Sequence, residues 1–296
     1  MKTYKGSEPF VLPDFLKGMV VPIQPHLADE IRQATPDLNT IASLIMKDTG
    51  LSGEILNRMG GSVNGCADIW SAVHLLGIDA VMGVVNGLYL RSTLEKHPVD
   101  FLEDLGAVSY DTARASVLLI QALQLNCDAW NAYALGLLHH ASMPMLLGRY
   151  KDYWNTIQHA YCVSGEPLTQ TENNHYHTNH AVVSYLLAKR WNLPEAICIA
   201  IRDHHNISRL TFKTGSDNEE ADLLLTVLKF AEHSCHAHQR LGHQGTDFEW
   251  EMIGEDVLAR LGISWLDYQD LSHLLEEKVE FDSFSPFTEE DLKLHI

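Results

Sequence analysis

The chain has 296 residues, which is enough for one large domain or two smaller ones. Its 39 acidic and 21 basic residues give a net charge of −18, so we expect neither general nucleic-acid binding nor binding to an anionic membrane surface. Five scattered cysteines without a C-x-x-C pair indicate reduced thiols rather than a disulfide framework. Since no signal peptide and no apolar run of membrane-spanning length is evident, we expect a soluble, cytoplasmic protein.

In the first third of the chain, apolar residues recur with the 3.6-residue period of helices. Thr35 and Pro36 have the residue types of an N-cap and a first helical position. We expect Ser52 to cap a short helix, Gly77 to end another, and residues 79–94 to form a largely buried helix. This part of the chain is therefore predicted to be helical.

A charged segment at 95–106 contains the expected internal boundary, which divides the chain into helical subdomains 1–107 and 108–296. Beyond it a loop is expected over 164–173. The predicted helices there are 109–124, 128–148, 151–163, 175–190, 194–205 and 217–240. The capping-box patterns Ser264-x-x-Asp267 and Thr288-x-x-Asp291 predict further short helices. With no alternating strand pattern, the predicted fold is all-α, with two packed helical subdomains.

Histidines are numerous, 17 in all, and several occur in suggestive groups. The candidate ligands in these groups are His139, His140, His180, His204, His205 and Glu232. Imidazole and carboxylate are ligands that suit Zn, Mn, Fe or Ni. Adjacent histidines on a helix point about 100° apart, so they can serve two neighbouring ions or divide ligating and supporting roles. Two ions ~3.5–4 Å apart suit phosphoester hydrolysis, because they activate water and neutralise the leaving oxygen.

Each group also has a plainer interpretation. A histidine on a half-apolar helix is more often packed and hydrogen-bonded than metal-bound, and a His-His pair at a helix C-terminus suits the helix dipole. His233 and His236, three residues apart, have the spacing of a solvated helix face. Asp203, His204 and His205 spell the DHH triplet, but phosphoesterases with that triplet place it after a strand of an α/β fold. No P-loop, Rossmann, H-E-x-x-H or G-x-S-x-G motif is present.

The sequence resembles the HDOD domain in several places. Residues 36–65 (PDLNTIASLIMKDTGLSGEILNRMGGSVNG) and the following IWSAVHLLG are similar to the N-terminal half of that domain. The second half is matched by LGLLHH, by Glu172 followed by His180, and by RWNLPEAICIAIRDHHN. That last segment is the most specific, since the tryptophan, Leu-Pro and double histidine keep the family's order and spacing. The resemblance covers roughly residues 12–210, and residues beyond 215 match only loosely.

HDOD domains are similar to the HD superfamily of metal-dependent phosphohydrolases, including the HD-GYP cyclic-di-GMP phosphodiesterases. They generally lack a full catalytic set and are regarded as bacterial signalling or regulatory modules. In this resemblance His139 takes the place of the HD histidine and His140 that of the aspartate. Glu172 matches the acidic position before His180, and Asp111 stands near the position of the first superfamily histidine.

In the same resemblance, the positions of additional histidine ligands in HD-GYP enzymes are occupied by His180, His204 and His205. Glu232 takes the place of a late aspartate. The broken His-Asp doublet implies a weakened phosphohydrolase site, although Asp111 and His140 are still competent ligands. The resemblance therefore implies a degenerate HD-like second subdomain.

The preferred hypothesis is a bacterial cytoplasmic signalling or regulatory HDOD module that binds another signalling protein or a nucleotide-like ligand. The alternative is a metal-dependent phosphohydrolase acting on a phosphodiester or nucleotide, with one or two divalent ions of Fe, Mn, Ni or Zn. Its ligands would be His139, His140, His180, His204, His205, Asp111, Glu172 and Glu232. A third interpretation keeps the histidines as buried polar groups or as a pH-sensitive cluster without metal. Oligomeric state is left open.

Overall fold

A computed structural model describes residues 25–58, 69–94, 99–163, 165–190, 193–211 and 218–281. Within these ranges the regular structure is helical and there is no strand, which confirms the all-α prediction. The first helices are α1 (Pro25–Ala34), α2 (Leu38–Ile45), α3 (Thr49–Arg58) and α4 (Ile69–Leu94). Helices α1, α2 and α3 pack against α4. As predicted, Gly77 ends one helical segment, since its φ of 74° and ψ of 168° bend α4 at that residue.

Two predicted helix starts in this region are wrong. Helix α2 begins at Leu38, and its N-cap is Asp37, whose carboxylate accepts a hydrogen bond from the Asn39 N–H at 3.1 Å. Thr35 and Pro36, which are joined by a cis peptide bond, lie before this cap. Ser52 lies inside α3 rather than at its start. An aspartate beside the first turn provides the capping oxygen, so the Thr-Pro pair is not needed for that role.

The later helices are α5 (Val99–Leu123), α6 (Ala129–Leu138), α7 (Met143–Arg149), α8 (Tyr153–Tyr161), α9 (Leu168–Tyr176), α10 (His180–Arg190), α11 (Glu195–Asp203), α12 (Ile207–Thr211), α13 (Glu219–Ser234), α14 (Ala237–Gly242), α15 (Phe248–Leu261) and α16 (Trp265–Phe281). Helix α5 runs through the expected boundary between 107 and 108. The division into two subdomains therefore stays a prediction.

Several long predicted helices are divided in the structure. The expected helix 128–148 breaks after Leu138, and α7 starts beside Pro144, which has no N–H and whose ring excludes the carbonyl four residues earlier. Left-handed backbone at His177 and His236 interrupts the expected helices 175–190 and 217–240. The predicted loop 164–173 is wrong, because α9 occupies residues from Leu168 onward. Periodicity misses such breaks, since one residue with positive φ hardly changes the apolar pattern.

Helix ends elsewhere follow local side-chain chemistry. The box at Ser264 and Asp267 is confirmed, since the Ser264 hydroxyl donates to Asp267 Oδ2 at 2.6 Å and accepts from the Asp267 N–H at 3.2 Å. Asn218 caps α13 by accepting from the Ala221 N–H at 2.9 Å. The box at Thr288 and Asp291 lies outside the described residues. None of the described helices combines the length and apolarity needed to cross a membrane.

Helices α5, α6, α11 and α13 form the part of the core that surrounds the histidines. Helix α5 packs on α6 and α13, and α11 packs on α10 and α13. Gly136 lets α6 approach α5 closely, since a Cβ at this position would lie 2.6 Å from the Cα of Ala113. The Tyr133 hydroxyl donates to the Met46 carbonyl at 3.1 Å, which ties α6 to the segment after α2. Helix α6 also packs on α11, which places the ends of these two helices near each other inside the molecule.

Candidate metal centre

Four parts of the chain bring six of the predicted site residues into one buried cluster, which we call the histidine centre. They are the end of α6, the first residue of α10, the residues just after α11 and the last turns of α13. The residues of the histidine centre are His139, His140, His180, His204, His205 and Glu232, and all are buried. These six are among the eight candidate ligands chosen from the sequence, and the structure brings them together.

The potential ligand atoms of the histidine centre form two sets that share His140. One atom each of His140, His180, His204 and His205 lies within 4.8 Å of the others, and the same holds for His139, His140 and Glu232. In the first set, His180 Nε2 and His204 Nε2 lie 3.1 Å apart. Glu232 Oε1 lies 3.2 Å from His139 Nε2 and 3.9 Å from His140 Nε2. Separations of this kind allow two neighbouring ions to share a ligand set.

Several of these nitrogen atoms have no hydrogen-bond partner in the described part of the chain. Both ring nitrogens of His140, and Nε2 of His205, are buried without a hydrogen-bond partner among the described residues. A buried polar group without a partner costs about 1–3 kcal/mol. Neutral imidazole nitrogens in a cluster with a carboxylate are a donor set for divalent transition metals. The residues of the histidine centre therefore fit a metal ion.

Backbone carbonyls orient two of the rings. His139 Nδ1 lies 2.7 Å from the Gly136 carbonyl oxygen, and His204 Nδ1 lies 2.6 Å from that of Ile201. A nitrogen that faces a carbonyl carries the proton, so each ring presents its Nε2 to the histidine centre as an acceptor. These contacts come from the last helical turns of α6 and α11, where the carbonyls lack partners within the helix.

Carboxylates orient two more rings. Glu172, on α9, lies behind His180, with Oε2 2.5 Å from His180 Nδ1. Glu249 is in the first turn of α15, and both of its carboxylate oxygens lie 2.8 Å from His205 Nδ1. Glu172 thus contacts the outer side of His180 and is not one of the grouped potential ligands. Nothing in the sequence near Glu249 indicated its role, because its position depends on how α15 packs.

Two acidic residues of interest point elsewhere. Asp111 Oδ2 lies 2.6 Å from a guanidinium nitrogen of Arg240, and Asp111 is in neither set of potential ligands. Asp203 pairs with Arg202 at 2.7 Å and with Arg209 at 3.0 Å, so it is bound to arginines rather than to the histidine centre. The structure therefore places Asp111, alone among the eight predicted ligands, outside the histidine centre and its supporting contacts.

A buried lysine balances the charge beside the histidine centre. Lys229 Nζ lies 2.8 Å from Glu232 Oε2 and 3.0 Å from Glu249 Oε2. Although burial opposes it, the charge of Lys229 holds the pKa of Glu232 well below its ordinary value. Burial raises the pKa of Glu249 to about 7 against the opposing effect of Lys229. Lys229 was missed from the sequence, where its spacing of three residues from Glu232 was the available signal.

Burial also decides the protonation of the histidines. It lowers the pKa of His140, His204 and His205 well below the ordinary value, and neighbouring imidazoles lower it further. In His205 the charge of Lys229 adds to this effect. These rings are neutral at pH 7, which is the form that binds a metal.

A pocket opens on one side of the histidine centre. Its walls include His205, Lys229 and Glu232 together with Glu249 and Tyr161. Burial and the surrounding carboxylates raise the pKa of Tyr161 well above its ordinary value, so it stays protonated. The pocket therefore combines a cation, a phenol and part of the candidate ligand set.

The HDOD domain family model matches residues 20–207 of the chain. A protein of Treponema pallidum described as uncharacterized is 26% identical over 219 residues, which are 71% of this chain and 41% of that protein. The chain thus spans less than half the length of this relative.

Solved structures share the fold at low sequence identity. The MmoQ response regulator of Methylococcus capsulatus has a TM-score of 0.59 at 19% identity, covering 86% of this chain and 98% of that one. A virulence factor of Campylobacter jejuni has a TM-score of 0.57 at 17% identity, and the match covers 89% of this chain and 96% of that one. At such identities the likeness concerns the fold alone.

Proposed function

The chain belongs to the HDOD domain family, and on that premise we propose that it is a signalling module whose histidine centre holds one or two divalent transition-metal ions. The observation that carries the proposal is the pair of buried ligand sets that share His140, whose two ring nitrogens have no other partner among the described residues. The similar Methylococcus structure is that of a response regulator, which supports the signalling part.

The two sets would divide the ions between them. One ion would be held by His180, His204 and His205, the other by His139 and Glu232, with His140 between the two sets. Fe, Mn, Ni and Zn all accept this mixture of imidazole and carboxylate. Where the HD doublet has an aspartate, this chain has His140, which offers one lone pair at a time. A carboxylate at this position could bridge two ions, and His140 cannot. We therefore propose a degenerate centre that serves regulation rather than turnover.

Elemental mass spectrometry tests this proposal on untagged protein purified without chelators. We expect near-stoichiometric transition metal in the wild type and its loss in His204→Ala. The control is His159→Ala, at an exposed position on α8, which should keep the metal. A wild-type protein that stays metal-free after incubation with Mn, Fe, Ni and Zn would contradict the proposal.

We also propose that the module acts by binding another signalling protein or a nucleotide-like ligand. The protein partner is supported by Trp265 and Leu266 at the start of α16, which are 59% and 67% exposed. The nucleotide-like ligand is supported by Lys229 in the pocket wall. A thermal-shift screen of nucleoside mono- and diphosphates against wild type and Lys229→Met distinguishes the two, since only a nucleotide site would produce a shift that depends on Lys229.

Metal-dependent phosphohydrolysis is the second candidate function, and the pocket is the observation in its favour. Bound ions would supply Lewis-acid activation and charge neutralisation. Lys229 would bind a phosphoryl oxygen, and Glu249, with a pKa of about 7, would hold a proton beside His205. The test is hydrolysis of bis(4-nitrophenyl) phosphate by metal-loaded protein. Turnover that disappears in His204→Ala would support it, and its absence with every metal that binds would exclude this substrate class.

A further inference from the structure

A second group of potential ligands lies beyond residue 207, where the HDOD match ends. His233 is in the last turn of α13, His238 is in α14, and Asp247 is the N-cap of α15. Asp247 Oδ2 lies 2.8 Å from His233 Nδ1 and 3.6 Å from His238 Nδ1. One ligand atom of each residue lies within 4.8 Å of the other two. Three successive helices thus converge on one carboxylate oxygen.

Two of the three side chains are fixed in place by Trp250. Asp247 Oδ1 accepts a hydrogen bond from the backbone N–H of Trp250 at 3.0 Å, which leaves Oδ2 directed at the histidines. The His233 ring stacks on the Trp250 ring with 4.3 Å between centroids and 4° between planes. The interpretation of His233 as part of a solvated face is therefore wrong, since the ring is half-buried and bonded. The group is ordered by contacts that a metal would not have to supply.

The third side chain lacks a hydrogen bond. His238 Nδ1 is buried and has no hydrogen-bond partner among the described residues. At 3.6 Å the oxygen of Asp247 is too distant to be one. Burial lowers the pKa of His238, so the ring is neutral at pH 7. An ion bound between these groups would provide this nitrogen with the missing interaction.

We propose that His233, His238 and Asp247 form a second divalent metal site, of the type that binds zinc, separate from the histidine centre. Two imidazoles and one carboxylate are a zinc ligand set, with metal–ligand distances of about 2.0–2.2 Å, and three protein ligands leave a fourth position open. The open position would face the pocket, because His238 and Asp247 line the same pocket as His205 and Glu232. The ion would also fasten α13, α14 and α15 to one another.

The test uses the full chain with the histidine centre disabled by His140→Ala and His204→Ala. Titration with Co²⁺, followed by its visible absorption, and with Zn²⁺, followed by calorimetry, should give about one bound equivalent in this background. Adding His238→Gln should abolish that equivalent, and Asp247→Asn should weaken it at least tenfold while keeping the helix cap, since asparagine also caps. Adding His159→Gln, at an exposed position, should change nothing.

A background protein that binds no metal, or one whose bound equivalent survives His238→Gln, would overturn the proposal. If the background variant fails to fold, the wild-type protein provides a second measurement. Crystals soaked in Zn²⁺ should show an anomalous-scattering peak between the three side chains, and its absence would overturn the proposal equally. Failure of the histidine centre to bind metal would leave this site untouched, so the two proposals are tested separately.

Discussion

Glu172 holds His180 at two points, with Oε2 2.5 Å from the ring Nδ1 and Oε1 3.0 Å from the backbone N–H. The Tyr153 hydroxyl donates to the same Oε1 at 2.7 Å, so the carboxylate is itself fixed. A helix start and a ring orientation therefore depend on one side chain. This arrangement directs His180 Nε2 toward His204.

We predict that Glu172→Gln lowers the affinity of the histidine centre for metal about 10- to 100-fold without removing a ligand. The amide can still accept from the backbone of His180, but it no longer increases the basicity of the ring. Competition with a chromophoric chelator measures the change. Glu166→Gln, on an exposed residue near the start of the same helix, is the matched control. Equal affinities in both variants would show that Glu172 does not tune His180.

Gly136→Ala should destabilise the protein by about 1–3 kcal/mol, because its Cβ would collide with the backbone of Ala113. Relief of this collision would move the backbone of α6, and this movement should also reduce metal binding, since the Gly136 carbonyl orients His139. Urea unfolding and metal titration measure the two effects. Gly245→Ala is the control, as nothing lies within 4 Å of its added Cβ. Unchanged stability of Gly136→Ala would contradict the close approach of α5 and α6.

Lys229→Met should destabilise the metal-free protein by about 3–5 kcal/mol, because Glu232 and Glu249 would lose their buried partner. Metal should restore part of this loss, since an ion on Glu232 replaces the missing positive charge. Denaturant unfolding with and without Zn²⁺ measures both values. Lys189→Met removes an exposed pair with Glu195 and should cost less than about 1 kcal/mol. A similar cost for the two variants would rule out a central role for Lys229.

On acidification, the metal-free protein should unfold at a higher pH than the metal-bound protein. The lowered pKa values of His140, His204 and His205 mean that only the unfolded chain takes up their protons below about pH 6.5. Stability is therefore complete above this pH and falls as the pH decreases. The raised pKa of Glu249 acts in the opposite direction between about 7 and 4.5, because there the folded state holds the extra proton.

Three protons against one leave a net uptake of two on unfolding, and the lowered pKa of His238 adds up to one more. The expected slope is about 3–4 kcal/mol per pH unit between roughly pH 6 and 5. Urea midpoints of chelator-treated protein across this range measure the slope. The variant His140→Gln should reduce it by about a third to a half, whereas His159→Gln should leave it unchanged. A flat profile in the metal-free protein would show that the histidines are protonated in the folded state or exposed in solution.

Sequence patterns predicted much of the fold because helix formation depends on nearby residues. The apolar period predicted helices, and the box at Ser264 and Asp267 was predicted correctly, since its hydrogen bonds join residues three apart. Errors arose where one backbone angle changes the outcome, as at His177 and His236. The candidate histidines were also identified from the sequence, first as groups of metal-ligand residue types and then through the resemblance of their order and spacing to a family pattern.

The sequence by itself thus determined the all-α class and the residue types of the histidine centre. Only the tertiary structure decided which acidic residues contact the histidines. Glu232 and Glu249 do so, whereas Asp111 pairs with Arg240. It also brought Asp247 to His233 and His238. The physical reason is that these contacts depend on how separate helices pack, and helix packing is set by the whole core rather than by the residues adjacent in the chain.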